Sequence, residues 1–129
     1  MPLLKFHMYE GRTEKEVIDI LDATHEAMVQ SFEVPYSDRY QLVHEHKSYQ
    51  MIMKDTGLGY ERSNQFILIH IISRKRTKKQ IQAFYKNTTD ALCDQCGIDP
   101  KDIMFSISAN EDEHWSFGEG IAQFLTRDL

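Results

Sequence analysis

Five of the fifteen basic residues fall in one run, Arg74-Lys75-Arg76-Thr77-Lys78-Lys79. It lies where an apolar stretch, Phe66–Ile72, passes into a helical pattern. One reading is a solvated charge run. The other is an anion site. Cations in a first helical turn oppose the helix dipole, so Lys78 and Lys79 are not explained by local stability, whereas a bound anion explains them. If the chain is extended there, Arg74 and Arg76 point to the same side, and two guanidinium forks on one side suit a carboxylate. A nucleic-acid patch is a third reading, but no aromatic residues interleave with the run.

Other residues compete for attention. His44-Glu45-His46 puts two imidazoles on one strand face, a spacing found in metal sites, without an evident third ligand. His70 and His114 are unassigned candidates, and polar partners at a strand end are the plainer reading. Cys93-Asp94-Gln95-Cys96 is a C-x-x-C, but it falls late in a predicted helix, away from the thiolate-stabilising N-terminus. It reads as a pair of partly buried free thiols. Trp115, Phe117 and Phe124 make an aromatic cluster that fits a core, an interface or a pocket wall. Asp38, in Pro35-Tyr36-Ser37-Asp38-Arg39, reads first as a turn residue.

The elements that position these residues come in duplicate. Residues 2–46 lie over 66–110 without a gap at an offset of 64, with seven identities: Leu4/Leu68, Arg12/Arg76, Thr13/Thr77, Lys15/Lys79, Thr24/Thr88, Ala27/Ala91 and Asp38/Asp102. The structural signals coincide with the identities. Each copy opens with an apolar run. The second, Phe66–Ile72, is so rich in isoleucine that it predicts a strand buried on both faces. A capping box follows in each, Thr13 with Glu16 and Thr77 with Gln80. Helical periodicity comes next: Val17, Leu21, Thr24, Met28, then Ile81, Tyr85, Thr88, Leu92. Pro35 and Gly97 are the expected stops. Alternating residues then predict a second strand in each copy, around Tyr40–Glu45 and Ile103–Ile107.

The expected fold is therefore α/β (α+β): a tandem β-α-β repeat forming one four-stranded mixed sheet with two helices on one face. A single domain is expected over 1–129, with units 2–46 and 65–110, a linker 47–64 and a tail 111–129. The linker carries a turn at Asp55-Thr56-Gly57-Leu58-Gly59 and a candidate short strand at Met51-Ile52-Met53. The sheet's other face has no helix to cover it, so oligomerisation is expected.

A net charge of −5 argues against general nucleic-acid binding, and no apolar run is long enough to span a membrane. Lys5, His7 and Glu10 interrupt the start of the chain, so no signal peptide is expected and the cytoplasm is the default location. Two cysteines imply no disulfide framework.

Taken together, these pieces resemble the tautomerase superfamily, and within it the malonate semialdehyde decarboxylase family. The likeness rests on Met1-Pro2-Leu3-Leu4-Lys5-Phe6, Glu10-Gly11-Arg12-Thr13, Asp38 through His46, Asp55 through Gly59, the pair Arg74 and Arg76, and Trp115-Ser116-Phe117-Gly118. It implies a homotrimer of double β-α-β chains. It implies that Pro2, freed by removal of Met1, is the catalytic amine, assisted by Asp38. Arg74 and Arg76 would hold the carboxylate of a small substrate, and Trp115, Phe117 and Phe124 would wall the pocket. Lys75, between the arginines, is where the pattern is least dependable. No metal and no organic cofactor is implied. A cationic Pro2 would serve decarboxylation or hydration of a 3-oxo or unsaturated acid, and a neutral one keto–enol tautomerisation. Nearby arginines and burial favour the neutral form, Asp38 the cation. Two other classes remain open at this level: a non-enzymatic binding protein on the same scaffold, and a metal enzyme using His44 and His46.

Overall fold

The computed structural model describes residues 2–129. Strand β1 (Leu3–Tyr9) leads into helix α1 (Glu14–Phe32) and strand β2 (Tyr40–His46). Strand β3 (Ile67–Arg74), helix α2 (Lys78–Cys96) and strand β4 (Ile103–Asn110) repeat the order, and a four-residue helix α3 (Gln123–Thr126) ends the chain. The offset of 64 maps α1 onto α2 residue for residue, from Glu14/Lys78 to Phe32/Cys96.

Both capping boxes form. Thr13 Oγ1 accepts from the Glu16 N–H while the Glu16 carboxylate accepts from the Thr13 N–H, and Thr77 with Gln80 does the same. The helices also stop at equivalent places. Gly97 caps α2 in the left-handed conformation at φ 66°, which glycine adopts freely. Its counterpart Glu33 does so at φ 54° and carries the steric cost of a Cβ there, two residues before Pro35.

The sheet order is β2-β1-β3-β4. Each β-α-β unit pairs its own strands in parallel, and the units meet at the central antiparallel pair β1/β3. The helices cover one face. There Leu4, Phe6 and Met8 of β1 and Ile67, Ile69 and Ile71 of β3 are at most 1% exposed, and Phe32 stacks on Phe84 at 5.0 Å. Each such side chain contributes about 1.5–3 kcal/mol of transfer free energy. The core threonines Thr24 and Thr88 sit at equivalent positions and are both fully buried.

Two expectations are corrected. β3 is not buried on both faces: Leu68, His70 and Ile72 alternate with the buried isoleucines and are only half-covered, because helices lie on one side alone. Met51–Met53 forms no strand; Met51 is buried, its carbonyl accepting a hydrogen bond from the Tyr9 hydroxyl, and Ile52 is exposed. The turn at Asp55 forms as expected, its carboxylate accepting from the Gly57 and Gly59 N–H groups. No helix among the described residues is long and apolar enough to cross a membrane.

The linker is tied down at Asp102, 3% exposed, whose carboxylate accepts from the Ser63 N–H at 2.7 Å and the Ser63 hydroxyl at 2.5 Å. Removing a buried acceptor strands both donors. Asp102→Ala should lower stability by about 1–3 kcal/mol in urea unfolding, and Ser63→Ala by less, since it removes only one donor.

Candidate active site

The register of the central strands decides what meets at the sheet's end. Leu3 pairs with Tyr40 on one side and Ile72 on the other. Continued by one residue, this places Pro2 between Arg39 and Ser73, with Asp38 and Arg74 one step further out. Pro2 is buried. Met1, and with it the expectation that the working protein lacks that residue, lies outside the described residues.

Arg74 and Arg76 both line a cleft of about 570 Å³ at this end of the sheet. They reach it by different routes. Arg74 ends β3 opposite Asn110 of β4. Its guanidinium carbon lies 3.7 Å from the Phe124 ring centre, and its Nη1 donates to Asp112 at 3.0 Å. Arg76 lies beyond the strand and is drawn inward. Its Nε donates to Ser73 Oγ at 3.2 Å, its Nη1 to the Phe32 carbonyl at 3.4 Å, and it sits 5.0 Å from the Phe32 ring centre. Burial, then the nearby Arg74 cation, holds the Arg76 pKa below its ordinary value, with Asp38 opposing. Lys75 lines the cleft too, and Glu111, Asp112 and Glu113 form an acidic wall. Lys78 and Lys79 do not line it. Lys79 instead borders a groove beside Glu33.

Asp38, two residues before β2, does not line the cleft; it is 6% exposed, and neither carboxyl oxygen has a hydrogen-bond partner. Burial pushes its pKa up, while the charges of Arg76, His25 and Arg74 pull the other way without cancelling the effect. His25 is fully buried on α1, with Nε2 2.6 Å from the Tyr36 carbonyl and its ring edge-on to Tyr36.

The tail lines the cleft with Glu111, Asp112, Glu113 and Leu125, and its aromatic residues lie outside that lining, clustered next to Arg74. Trp115 Nε1 donates to Asn110 Oδ1 at 2.7 Å, and the indole stacks on Phe117 at 5.4 Å. Phe117 meets Phe124 edge-on at 5.4 Å and Tyr40 at 5.7 Å. Gln123 pins this arrangement, accepting from the Phe117 N–H and donating to the Gly118 carbonyl. The three aromatic residues picked from sequence are thus brought together and joined to Arg74 through Phe124. Tyr40, Asn110, Asp112 and Ser73 were not singled out by sequence. The strand register, which pairs Arg74 with Asn110, is the signal that finds Asn110.

A second, slightly larger cleft, about 650 Å³, lies by Tyr9, Glu10, His46, Lys47 and Arg62 at the other end of β1, roughly 20 Å from Pro2 along the strand. It mixes charges but holds no buried unpaired acid and no clustered arginines, so its size does not make it the stronger site. His46 faces His7 there, Nε2 to Nδ1 at 2.9 Å, and His7 also stacks on His44 at 4.9 Å. Burial, then His44, His46 and His70, holds the His7 pKa below its ordinary value. Among the described residues no group of three His, Cys, Asp or Glu is arranged to hold a metal ion. Cys93 and Cys96 are free and half-buried, and burial pushes the Cys96 thiol up.

A double β-α-β frame with an arginine-lined cleft and a buried acid beside the first strand defines a class, and comparison with known proteins agrees. Family models described as "Tautomerase enzyme" match residues 38–118 and 2–61. The chain is 43% identical to the probable tautomerase YrdN of Bacillus subtilis (strain 168), over all of both chains. A solved malonate semialdehyde decarboxylase, described with decarboxylase and hydratase activities, is 49% identical, with TM-score 0.96 and 98% of each chain covered. The FG41 malonate semialdehyde decarboxylase, solved after inhibition by 3-bromopropiolate, is 31% identical, with TM-score 0.93 and coverage of 98% of this chain and 97% of that one. The chain belongs to the tautomerase family of enzymes.

The direction of the Asp38 shift has a measurable consequence. A carboxyl whose folded pKa is raised contributes stability below its unfolded pKa and loses it as pH rises through the folded value. Asp38→Asn should therefore raise the melting temperature at pH 7.5, and the gain should shrink as pH falls toward 4. Thermal unfolding of both proteins at several pH values checks this.

Proposed function

We propose that this enzyme decarboxylates a small 3-oxo acid of the malonate semialdehyde type in the cytoplasm, using the Pro2 amine after loss of Met1. The observation that carries the reading is the convergence of Arg74 and Arg76 on one cleft at the end of the sheet where β1 begins. The 49% identity to a malonate semialdehyde decarboxylase over nearly the full chain supports the choice of substrate class.

In this scheme the guanidiniums hold the carboxylate with its breaking bond aligned to the carbonyl π system. As the bond to CO₂ breaks, its electron pair moves onto the carbonyl oxygen, which the cationic Pro2 amine stabilises by hydrogen bonding. The enolate carbon then takes a proton, giving the aldehyde and CO₂. Alternatively Pro2 condenses with the carbonyl to an iminium, a stronger electron sink. The aromatic wall of Trp115, Phe117 and Phe124 favours loss of charge as CO₂ leaves. This chemistry asks for no metal or organic cofactor. Asp38 supports the cationic amine. Tautomerisation is the second reading, favoured by the two guanidiniums, which press Pro2 toward its neutral, basic form.

The assay is turnover of malonate semialdehyde and of enol acids by protein with and without Met1, checked by intact mass. With Met1 attached the Pro2 nitrogen is a tertiary amide with no proton to give and no basic lone pair. The trimmed protein should be active and the untrimmed one silent; equal activity would sink the Pro2 mechanism. Arg74→Ala and Arg76→Ala in trimmed protein should each lose about a hundredfold or more in kcat/KM, with poor rescue by lysine, which lacks the fork.

The open sheet face supports a homotrimer. Leu42 is 46% and Met104 39% exposed there, beside half-buried Leu3, Leu68 and Ile72. These apolar side chains, interleaved with histidines, are favoured to bury against other copies, and the likeness to the family supplies the number three. Sedimentation at micromolar concentration should give three times the chain mass, and a stable monomer would refute the assembly.

A further inference from the structure

We infer that Ser73 is a positioning residue that holds the Arg76 guanidinium ready for a carboxylate and apart from Asp38; the inference rests on the carboxylate-binding reading above. The helix-facing row of β3 runs Ile67, Ile69, Ile71, Ser73, and all four are fully buried. A fourth isoleucine would bury more apolar surface, and a buried hydroxyl is costly unless bonded. Both sides of this hydroxyl's bonding capacity are used, and on the two arginines. Ser73 Oγ donates to the Arg74 carbonyl at 2.9 Å, and accepts from Arg76 Nε at 3.2 Å. Once its one hydrogen is committed to a carbonyl, the oxygen presents only lone pairs, so the neighbour it selects must be a donor.

The Nε anchor fixes the guanidinium plane while leaving terminal N–H groups free for a ligand. The remaining tether, Nη1 to the Phe32 carbonyl, is long at 3.4 Å and does not set the plane alone. The alternative partner is close at hand. Asp38 is buried, neither of its oxygens has a hydrogen-bond partner, and the Arg76 charge acts on it. A guanidinium released from Ser73 would close onto that carboxylate in a charge-assisted pair, withdrawing its N–H groups from the cleft and the acid from Pro2. Ser73 thus keeps cation and acid apart within one buried corner.

Ser73→Ala removes the acceptor with little change of volume, and Ser73→Cys keeps the volume with a much weaker acceptor. In nitrogen–proton NMR, wild-type Arg76, assigned through Arg76→Lys, should give a distinct, slowly exchanging Nε–H signal. Both variants should lose that signal while the backbone spectrum elsewhere is retained. Affinity for malonate, used as a carboxylate probe, should fall about tenfold, the usual loss for one bond to a charged group, with the effect on turnover falling on KM more than on kcat. An unchanged Nε–H signal in Ser73→Ala, or malonate affinity within twofold of wild type where wild type binds it, would overturn the proposal. If the wild-type protein neither binds malonate nor turns over a 3-oxo acid, the carboxylate reading fails, and Ser73's hold on Arg76 is then judged by the Nε–H signal alone.

Discussion

The central antiparallel pairing of β1 with β3 is the constraint on which the rest depends. Strands of one β-α-β unit run parallel, so a single unit never places the start of one strand beside the end of its neighbour. Joining two units head to tail does so, because Leu3 pairs with Ile72 and the residues just beyond them must then be neighbours. The beginning of the first strand and the Arg74–Arg76 segment meet for this reason. A slip of one residue would turn every side chain of β1 to the other face and expose Leu4, Phe6 and Met8, so the core that fixes the register also fixes the site.

The one-sided helix layer sets the character of the two faces. On the covered face the apolar side chains are buried, and of the buried polar groups Ser73 and Asp102 are hydrogen-bonded while Asp38 is not. On the open face the same strands carry leucine, methionine and four histidines, of which His7, His46 and His70 are half-buried and His44 is exposed. The aromatic chain from Tyr40 through Phe117 to Phe124 spans the end of that face and connects the tail to Arg74. The tail, which has no counterpart in the repeat, is thus built into the cleft that the repeat creates.

Much of the frame was legible because local signals repeat at a fixed offset. Capping boxes, helix periods and apolar runs are short-range features, and each appears twice, so the helices and all four strands could be read directly. Asp38, Arg74 and Arg76 were legible as residue types, but not their surroundings. That Arg76 turns inward to Ser73 and the Phe32 carbonyl depends on where β3 stops, and strand alternation does not reveal this. The isoleucine run misled about β3 because composition reports how much apolar surface is present, not which molecule covers it. Met51–Met53 misled for a related reason: three apolar residues suit a strand, yet Met51 is instead held by the Tyr9 hydroxyl and Ile52 is exposed.

The repeat is not symmetric in what it can become. Residue 66 stands where Pro2 stands, Arg12 where Arg76 stands and Asp102 where Asp38 stands. Yet Phe66 is joined to residues on both sides, so its nitrogen is an amide and can never be a free amine. The second corner also holds its acid differently: Asp102 accepts from the Ser63 N–H and hydroxyl, while Arg12 donates to the Gln65 carbonyl. Two equivalent places in the repeat thus treat the same residue type in opposite ways: one carboxylate is buried without a hydrogen-bond partner, and the other works as a clasp that fastens the linker to the second unit.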